Sequence, residues 1–543
     1  MPRSRSKKRV KTPPLSGRKK ATSTSDIQKR STTRIYDGNG IMTWVHYLLG
    51  HDKPLLSKHG AESLILWSYT SSPDPSKLAP ILYPFWVKFA YFFPSWWSPN
   101  LVTVSGFFTM FSMFLVVQKL CGGETGWTIP NDASEAPPEW LFPVAGIALW
   151  LYQTADAVDG RQGKRVGMYV HPSTELFDHG IDSIVTSLVG ITMATGMRLG
   201  HGVWTALFLA GAWCVFYATT WEHLNVGKMR FQSGLSNPTE ALTLIVIVLL
   251  LVGFYPGIWE VRVVDLWTSI VPEFARQPIS AVLNGVFDII SSVITIHFEH
   301  LKLKHVAAIA QFQNGILSVF SSAMVIRRDP RKGITGTIAM SNLLPLILVV
   351  LWVFMMFCLD VEQKIMIEFA QHGRLLLVLG AATWNYATLT LIICEMGKQK
   401  YPTAKVISII LSQLYLMPLV AFFLPGPVKN FMLQLYPDFN SVFVLKFWTA
   451  VSLLRFISLW LCYQNELCHY CGMENWYTIQ VWTGTEDGPN KARLDENIEY
   501  LGKNSNVNKG TSNLISDWGK RYTKNARKKR IQALLKKEMV ELW

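Results

Sequence analysis

Long apolar runs recur in this chain from about residue 101 to residue 464, and they restrict its fold more than any other feature. About 20 helical residues cross a bilayer's hydrocarbon core, and the need to satisfy every backbone group excludes open strands from it. Stretches of that length, or near it, occur at 101–120, 140–155, 180–197, 203–221, 239–255, 304–326, 339–358, 374–394, 404–423 and 443–464. The expected fold class is therefore all-α, a polytopic integral membrane protein with about ten transmembrane helices. A further apolar segment, 280–297, is interrupted by Asn284 and Asp288 and ends in His297, Glu299 and His300, so it reads as a re-entrant or interfacial helix.

Charge sets the orientation. The formal net charge is +15, and its excess sits in two tails, from Arg3 to Lys20 and from Lys520 to Arg530. Ten spans place both tails on one side. The connections on that side then carry twelve Lys and Arg, Arg161, Lys164, Arg165 and Arg230 among them, against seven in longer loops on the other side. By the positive-inside bias the tails face the cytosol. Basic tails suit anionic lipid surfaces, and without a recognition fold beside them nucleic acid is not an expected partner. The first forty residues lack the apolar core of a signal peptide.

The expected divisions are a disordered basic tail over 1–40, an interfacial segment over 41–100, catalytic helices over 101–255, remaining membrane helices over 256–475 and a second basic tail over 476–543. Within 41–100, the aromatic stretch 78–100 carries prolines that stop it from forming one long helix, and Trp96 and Trp97 suit an interface. Seven scattered cysteines imply no disulfide framework, and Cys468 with Cys471 lacks the second pair that a zinc site requires. Glu222 and His223 follow the fourth span as pocket candidates, whereas Glu395 and the bases after it read as a solvated helix end.

The chemistry concentrates in "DAVDGRQGKRVGMYVHPSTELFDHGID", from Asp156 to Asp182. Asp156 and Asp159 (i, i+3) share one helical face at the end of the second span, and Asp178 and Asp182 (i, i+4) share another at the start of the third. A short loop makes these helices antiparallel neighbours whose carboxylate pairs face each other. Four such charges do not all stay ionised unaided. Two divalent cations would neutralise them, and an all-oxygen donor set favours Mg²⁺, Mn²⁺ or Ca²⁺ over zinc. Paired hard cations grip a pyrophosphate. Gly160 leaves room for a substrate to approach the backbone, and Arg161, Lys164 and Arg165 offer phosphate contacts. His179 is a candidate proton acceptor near neutral pH.

This stretch resembles the signature of the CDP-alcohol phosphotransferases: two aspartates, Gly, an Ala-Arg pair, a later Gly and two more aspartates. It is carried here by Asp156, Asp159, Gly160, Asp178 and Asp182. "ELFDHGID" is similar to the eukaryotic choline and ethanolamine phosphotransferases, as are "HDKPLLSKHG", "PSWWSPNLVTVSG", "WEHLNVGKMRF" and "NPTEA", so the resemblance covers roughly residues 50–475. Gly163-Lys164-Arg165 stands where the family has Ala-Arg, Thr174 stands where it has the later Gly, and Asp156 to Asp178 spans twenty-two positions against twenty-one. Either Lys164 or Arg165 can take the arginine's place.

The resemblance implies transfer of phosphocholine or phosphoethanolamine from CDP-choline or CDP-ethanolamine to the hydroxyl of diacylglycerol or an alkyl-acylglycerol, with release of CMP. It implies two Mg²⁺ or Mn²⁺ ions on Asp156, Asp159, Asp178 and Asp182. Asp182 is also the family's proposed base, with His179 its rival. Asn100, Gly160, Thr174, Glu222 and Glu240 would line or shape the substrate pocket. A homodimer among membrane lipids, in the endoplasmic reticulum or Golgi with a cytosolic active site, completes the expectation. The competing readings are a scaffold that has lost turnover and a divalent-cation transporter.

Overall fold

A computed structural model of the chain describes residues 55–57, 60, 63–64, 71–121, 137–166, 172–200, 203–232, 234–255, 257–270, 300–329, 336–358, 373–415 and 441–470, together with 427, 434, 476 and 477. The chain divides into Met1–Pro54 and Leu55–Trp543, and every described residue lies in the second unit. The expectations for both basic tails, for segment 280–297 and for Cys471 fall outside the described residues.

All the described elements are helices: α1 (Ala79–Phe89), α2 (Pro99–Leu120), α3 (Leu141–Val166), α4 (Pro172–Gly196), α5 (Val203–Val226), α6 (Pro238–Phe254), α7 (Val263–Ile270), α8 (Leu303–Arg328), α9 (Gly336–Ser341), α10 (Leu344–Cys358), α11 (Gly373–Met396), α12 (Thr403–Ile410) and α13 (Ser441–Tyr470). Short 3₁₀ turns and a π turn at Leu411–Tyr415 join some of them, and the described residues contain isolated β-bridges but no strand. Among the described residues, seven helices are long and apolar enough to cross a bilayer: Pro99–Leu120, Leu141–Arg165, Val203–Val226, Leu303–Arg328, Ile338–Met355, Gly373–Met396 and Phe443–Cys468. The chain is thus a multi-pass membrane protein.

The expected ten is met differently at three places. Pro238–Phe254 and Thr403–Tyr415 are apolar but shorter. The third is α4, which is long but is not among the seven, since acids lie in its first half and Ser183, Thr186, Ser187, Thr192 and Thr195 dilute the apolar rest. Helix ends also run past the apolar runs. α3 continues eleven residues beyond 155, and α4 starts eight residues before 180. Apolarity marks the width of the hydrocarbon, whereas the backbone ladder ends where hydrogen bonding does.

The helix starts follow ordinary capping chemistry. Ser98 accepts a hydrogen bond from the Leu101 N–H with Pro99 in the first turn of α2, and Asn237 accepts from Thr239 N–H with Pro238 opening α6. α1 ends before Pro94 and carries Pro84 inside it. It lies against α3, where Phe85 stacks on Trp150.

Packing is tightest where side chains are smallest. A Cβ on Gly211 of α5 would lie 2.3 Å from the Gln311 carbonyl of α8, and one on Gly315 would lie 2.6 Å from the Gly211 carbonyl. These helices approach backbone to backbone, as membrane helices do. α11 occupies the middle, buried almost throughout, with Trp384 stacked on Trp213 of α5. The outer faces of α2, α6, α8 and α13 expose large apolar side chains such as Phe108, Ile247, Phe320 and Ile457. Such faces suit lipid rather than water.

Candidate functional site

The extension of α3 and the early start of α4 place all four aspartates within helices rather than at their ends. α2 lies against both of these helices. Carboxylate oxygens of Asp156, Asp159 and Asp178 all lie within 4.8 Å of one another, and so do ligand atoms of Asp178, His179 and Asp182. Asp178 belongs to both groups, so the two helices build one continuous donor cluster.

Neighbouring hydroxyls hold the carboxylates in place. Thr103 Oγ1 of α2 donates to Asp159 Oδ2 at 2.5 Å, and the buried Tyr152 hydroxyl donates to Asp182 Oδ1. The His179 Nε2 stands 2.9 Å from Glu175 Oε1, one helical turn earlier. Glu175 itself is buried. Asp156 Oδ1 is buried with no hydrogen-bond partner. Among the described residues no lysine or arginine is ion-paired to any of the four aspartates. Space is open on one side, since a Cβ on Gly160 would meet nothing within 4 Å. It is closed on another, because a Cβ on Gly180 would lie 2.5 Å from the Trp460 ring of α13.

The basic residues after Asp159 divide between two faces. Arg161 stacks over Tyr83, 4.2 Å from the ring centroid, and Arg165, four residues on, donates to the Ala90 carbonyl at 2.6 Å and lies over Tyr91. Both are turned to α1 and the turn after it. Lys164 is four residues from Gly160 and shares its face. Gln162 donates to the carbonyls of Pro94 and Trp97 at 2.9 and 2.8 Å, fixing the Pro94–Trp97 turn to α3.

The remaining candidates frame the cluster or stand apart from it. Asn100 is buried and donates from Nδ2 to Ser173 Oγ (3.2 Å) and to the Trp476 carbonyl (3.1 Å), tying the start of α2 to the start of α4 beside Thr174. Trp476 in turn stacks on Phe177. Glu240, in the first turn of α6, accepts from the Lys77 N–H at 2.7 Å and so anchors the lead into α1. Glu222 is buried, and both its oxygens are held by Arg230, at 2.6 Å from Nε and 2.7 Å from Nη2. That hydrogen bond, with the paired charge, holds the Arg230 guanidinium above its ordinary pKa despite partial burial. Glu395 is a correction, because it is not a solvated helix end. It is buried, 3.3 Å from His223 Nε2, and also bonded by Lys398.

Sequence reasoning missed Tyr152, Thr103 and Glu175. The first two reach their aspartates from other helices, and nothing local signals such contacts. The Glu175–His179 pair was readable from its i, i+4 spacing.

No family model matches the chain. Curated relatives include choline/ethanolaminephosphotransferase 1 of Arabidopsis thaliana, 36% identical over 191 residues, which are 35% of this chain and 46% of that protein. Cholinephosphotransferase 1 of Saccharomyces cerevisiae is 35% identical over 212 residues, 38% of this chain and 51% of the relative. Cholinephosphotransferase 1 of Rattus norvegicus is 32% identical over 185 residues, 34% of this chain and 44% of the relative. The matched stretch spans about half the length of these relatives. Over that stretch the chain is similar to named choline/ethanolaminephosphotransferases, which bears out the resemblance to the CDP-alcohol phosphotransferases drawn from its own residues.

Proposed function

We propose that this protein transfers phosphocholine or phosphoethanolamine from a CDP-alcohol to the hydroxyl of diacylglycerol, or of an alkyl-acylglycerol, and releases CMP. One observation carries the reading: two groups of ligand atoms sharing Asp178, with no lysine or arginine among the described residues ion-paired to the four aspartates. The orphaned Oδ1 of Asp156 and the hard oxygen donors fit Mg²⁺ or Mn²⁺. Asp156, Asp159 and Asp178 would hold one ion, and Asp178 with Asp182 the other. When bound, such ions neutralise a pyrophosphate and stabilise the charge of a departing nucleotide.

The chain's own groups do the rest. Lys164 takes the place of the family's arginine, since Arg165 is committed to Ala90. Open space at Gly160 admits the donor's phosphates along α3. Asn100, Thr174 and Glu240 brace the helix starts that border the pocket. Glu222 acts at a distance, holding the chain after α5 through Arg230.

His179 serves as the proton acceptor and Asp182 as a ligand. Glu175 Oε1, 2.9 Å from His179 Nε2, is the third group that favours the charged imidazole once it has taken up a proton. The acceptor hydroxyl oxygen bonds to the phosphorus bearing the choline or ethanolamine. Its proton passes to His179, and the bond to CMP breaks with the electron pair leaving on the nucleotide. A water-soluble donor arrives from the cytosol and the lipid enters laterally. We therefore place the site and both termini on the cytosolic side of the endoplasmic reticulum or Golgi membrane, in a homodimer whose residues 101–255 hold the catalytic helices. The 256–475 helices receive the acceptor.

The test is CMP release by purified protein in lipid micelles with diacylglycerol, CDP-choline or CDP-ethanolamine, and Mg²⁺ or Mn²⁺. Metal-dependent release that Asp178→Ala abolishes is the expected result, and the better donor names the product. Folded protein that binds metal but releases no CMP from either donor would leave a scaffold or a cation transporter.

A further inference from the structure

A charged group without hydrogen-bond partners for two of its buried nitrogens lies within a membrane-spanning helix. Arg455 is in the middle of α13, where a charge at the bilayer centre costs at least ~2.5–3.5 kcal/mol. The residue is half-buried, with two of its guanidinium nitrogens inside the protein. Ser452, Leu459, Cys462 and Glu466 are all buried, and with Arg455 they follow one another in steps of three and four residues, which marks the inward seam of the helix. Its Nε and Nη1 are buried, yet neither has a hydrogen-bond partner, and the same is true of Ser452 Oγ one turn away. α11 packs against this helix, and its Tyr386 lies within electrostatic reach of Arg455. A guanidinium kept in such a place with two idle donors is poised for an oxygen-bearing ligand from outside the chain.

The position selects the ligand. Trp460 of the same helix touches Gly180, between the aspartates of α4, so Arg455 lies five residues, or about 7.5 Å along the axis, from that level. The direction is away from Glu466, which accepts the Leu55 and Leu56 N–H groups, and thus toward the bilayer interior. A glycerolipid whose free hydroxyl reaches the carboxylate cluster has its ester carbonyls a few bonds deeper. We propose that Arg455, with Ser452 and Tyr386, binds the ester carbonyl oxygens of the acceptor glycerolipid and sets how far its hydroxyl rises toward the aspartates. This deepens the phosphotransfer reading and rests on it for the identity of the acceptor. Arg455 is a positioning residue.

The experiment compares wild type, Arg455→Met and Arg455→Lys in two assays. In turnover, Arg455→Met should raise the acceptor KM for diacylglycerol about tenfold, the loss of one charge-assisted hydrogen bond, with the donor KM unchanged and Arg455→Lys in between. With a dialkylglycerol, which lacks the ester carbonyls, wild type and Arg455→Met should have equal KM. In the second assay, native mass spectrometry follows diacylglycerol retained by the purified protein without any turnover, and Arg455→Met should lose it. Retention through Arg455 with no CMP release would sink the reaction and leave the subsite standing. CMP release with unchanged diacylglycerol KM and retention would overturn the subsite, as would equal losses on diacyl and dialkyl acceptors. Thermal unfolding identifies a variant that merely misfolds, and Arg455→Lys then decides through the same KM and retention readouts.

Discussion

The four aspartates of α3 and α4 and the three glutamates at 222, 260 and 395 are all acids in an apolar protein, but their surroundings differ. Each glutamate is answered by the chain: Glu222 by Arg230, Glu260 by Lys302 and Lys304, and Glu395 by Lys398 and His223. The aspartates are answered by hydroxyls from Thr103 and Tyr152, while the nearest basic group is His179, itself turned to Glu175. Paired acids fasten one segment to another. Acids crowded without such partners store repulsion that a ligand can relieve, and that separates a fastening from a site.

Substitutions should divide along the same line, the largest effect first. Removing Asp178, which both ligand groups share, should lower CMP release at least about a thousandfold, measured under saturating donor and Mn²⁺. His179→Gln should cost about a hundredfold or more in kcat with little change in donor KM, as loss of a general base does, whereas Asp182→Asn should weaken metal affinity as well. If instead Asp182→Asn alone removed turnover with metal affinity intact, the base would be Asp182.

The fastenings should respond in stability. Glu222→Gln should lower thermal stability by about 1–3 kcal/mol, toward the smaller figure because solvent partly screens Arg230. Asp156→Asn, measured without divalent ions, should raise it, since the change removes a charge that repels its neighbours. The smallest effect belongs to Glu260. Partial burial would raise its carboxyl, but the hydrogen bonds and charges of Lys302 and Lys304 outweigh that and hold its pKa below the ordinary value. A lowered folded-state pKa means that this contribution is present above the unfolded carboxylate pKa and is lost as pH falls through the folded one. Unfolding of wild type against Glu260→Gln should therefore differ near neutral pH and converge in acid.

The spans and the carboxylate pairs were legible because both are local: a bilayer sets the length of an apolar run, and a helix sets which side chains share a face. Asn237 and Ser98 were legible within motifs and prove to cap helices, so part of what those motifs encode is geometry. The Tyr152–Asp182 and Thr103–Asp159 bonds were not legible, since each joins residues on different helices whose register depends on tertiary packing. Glu395 was misread for the same reason, because a polar run after an apolar one looks solvated until His223 arrives from another helix. Arg455 left no local signal beyond a single charge in an apolar run.

The most direct measurement is the stoichiometry of Mn²⁺ on the purified protein, counted by electron paramagnetic resonance with wild type beside Asp178→Ala. The account predicts two ions per chain in wild type, close enough to couple magnetically, and loss of that coupled pair when the shared ligand is removed. Wild type that binds no Mn²⁺, or that binds it equally well without Asp178, would contradict it.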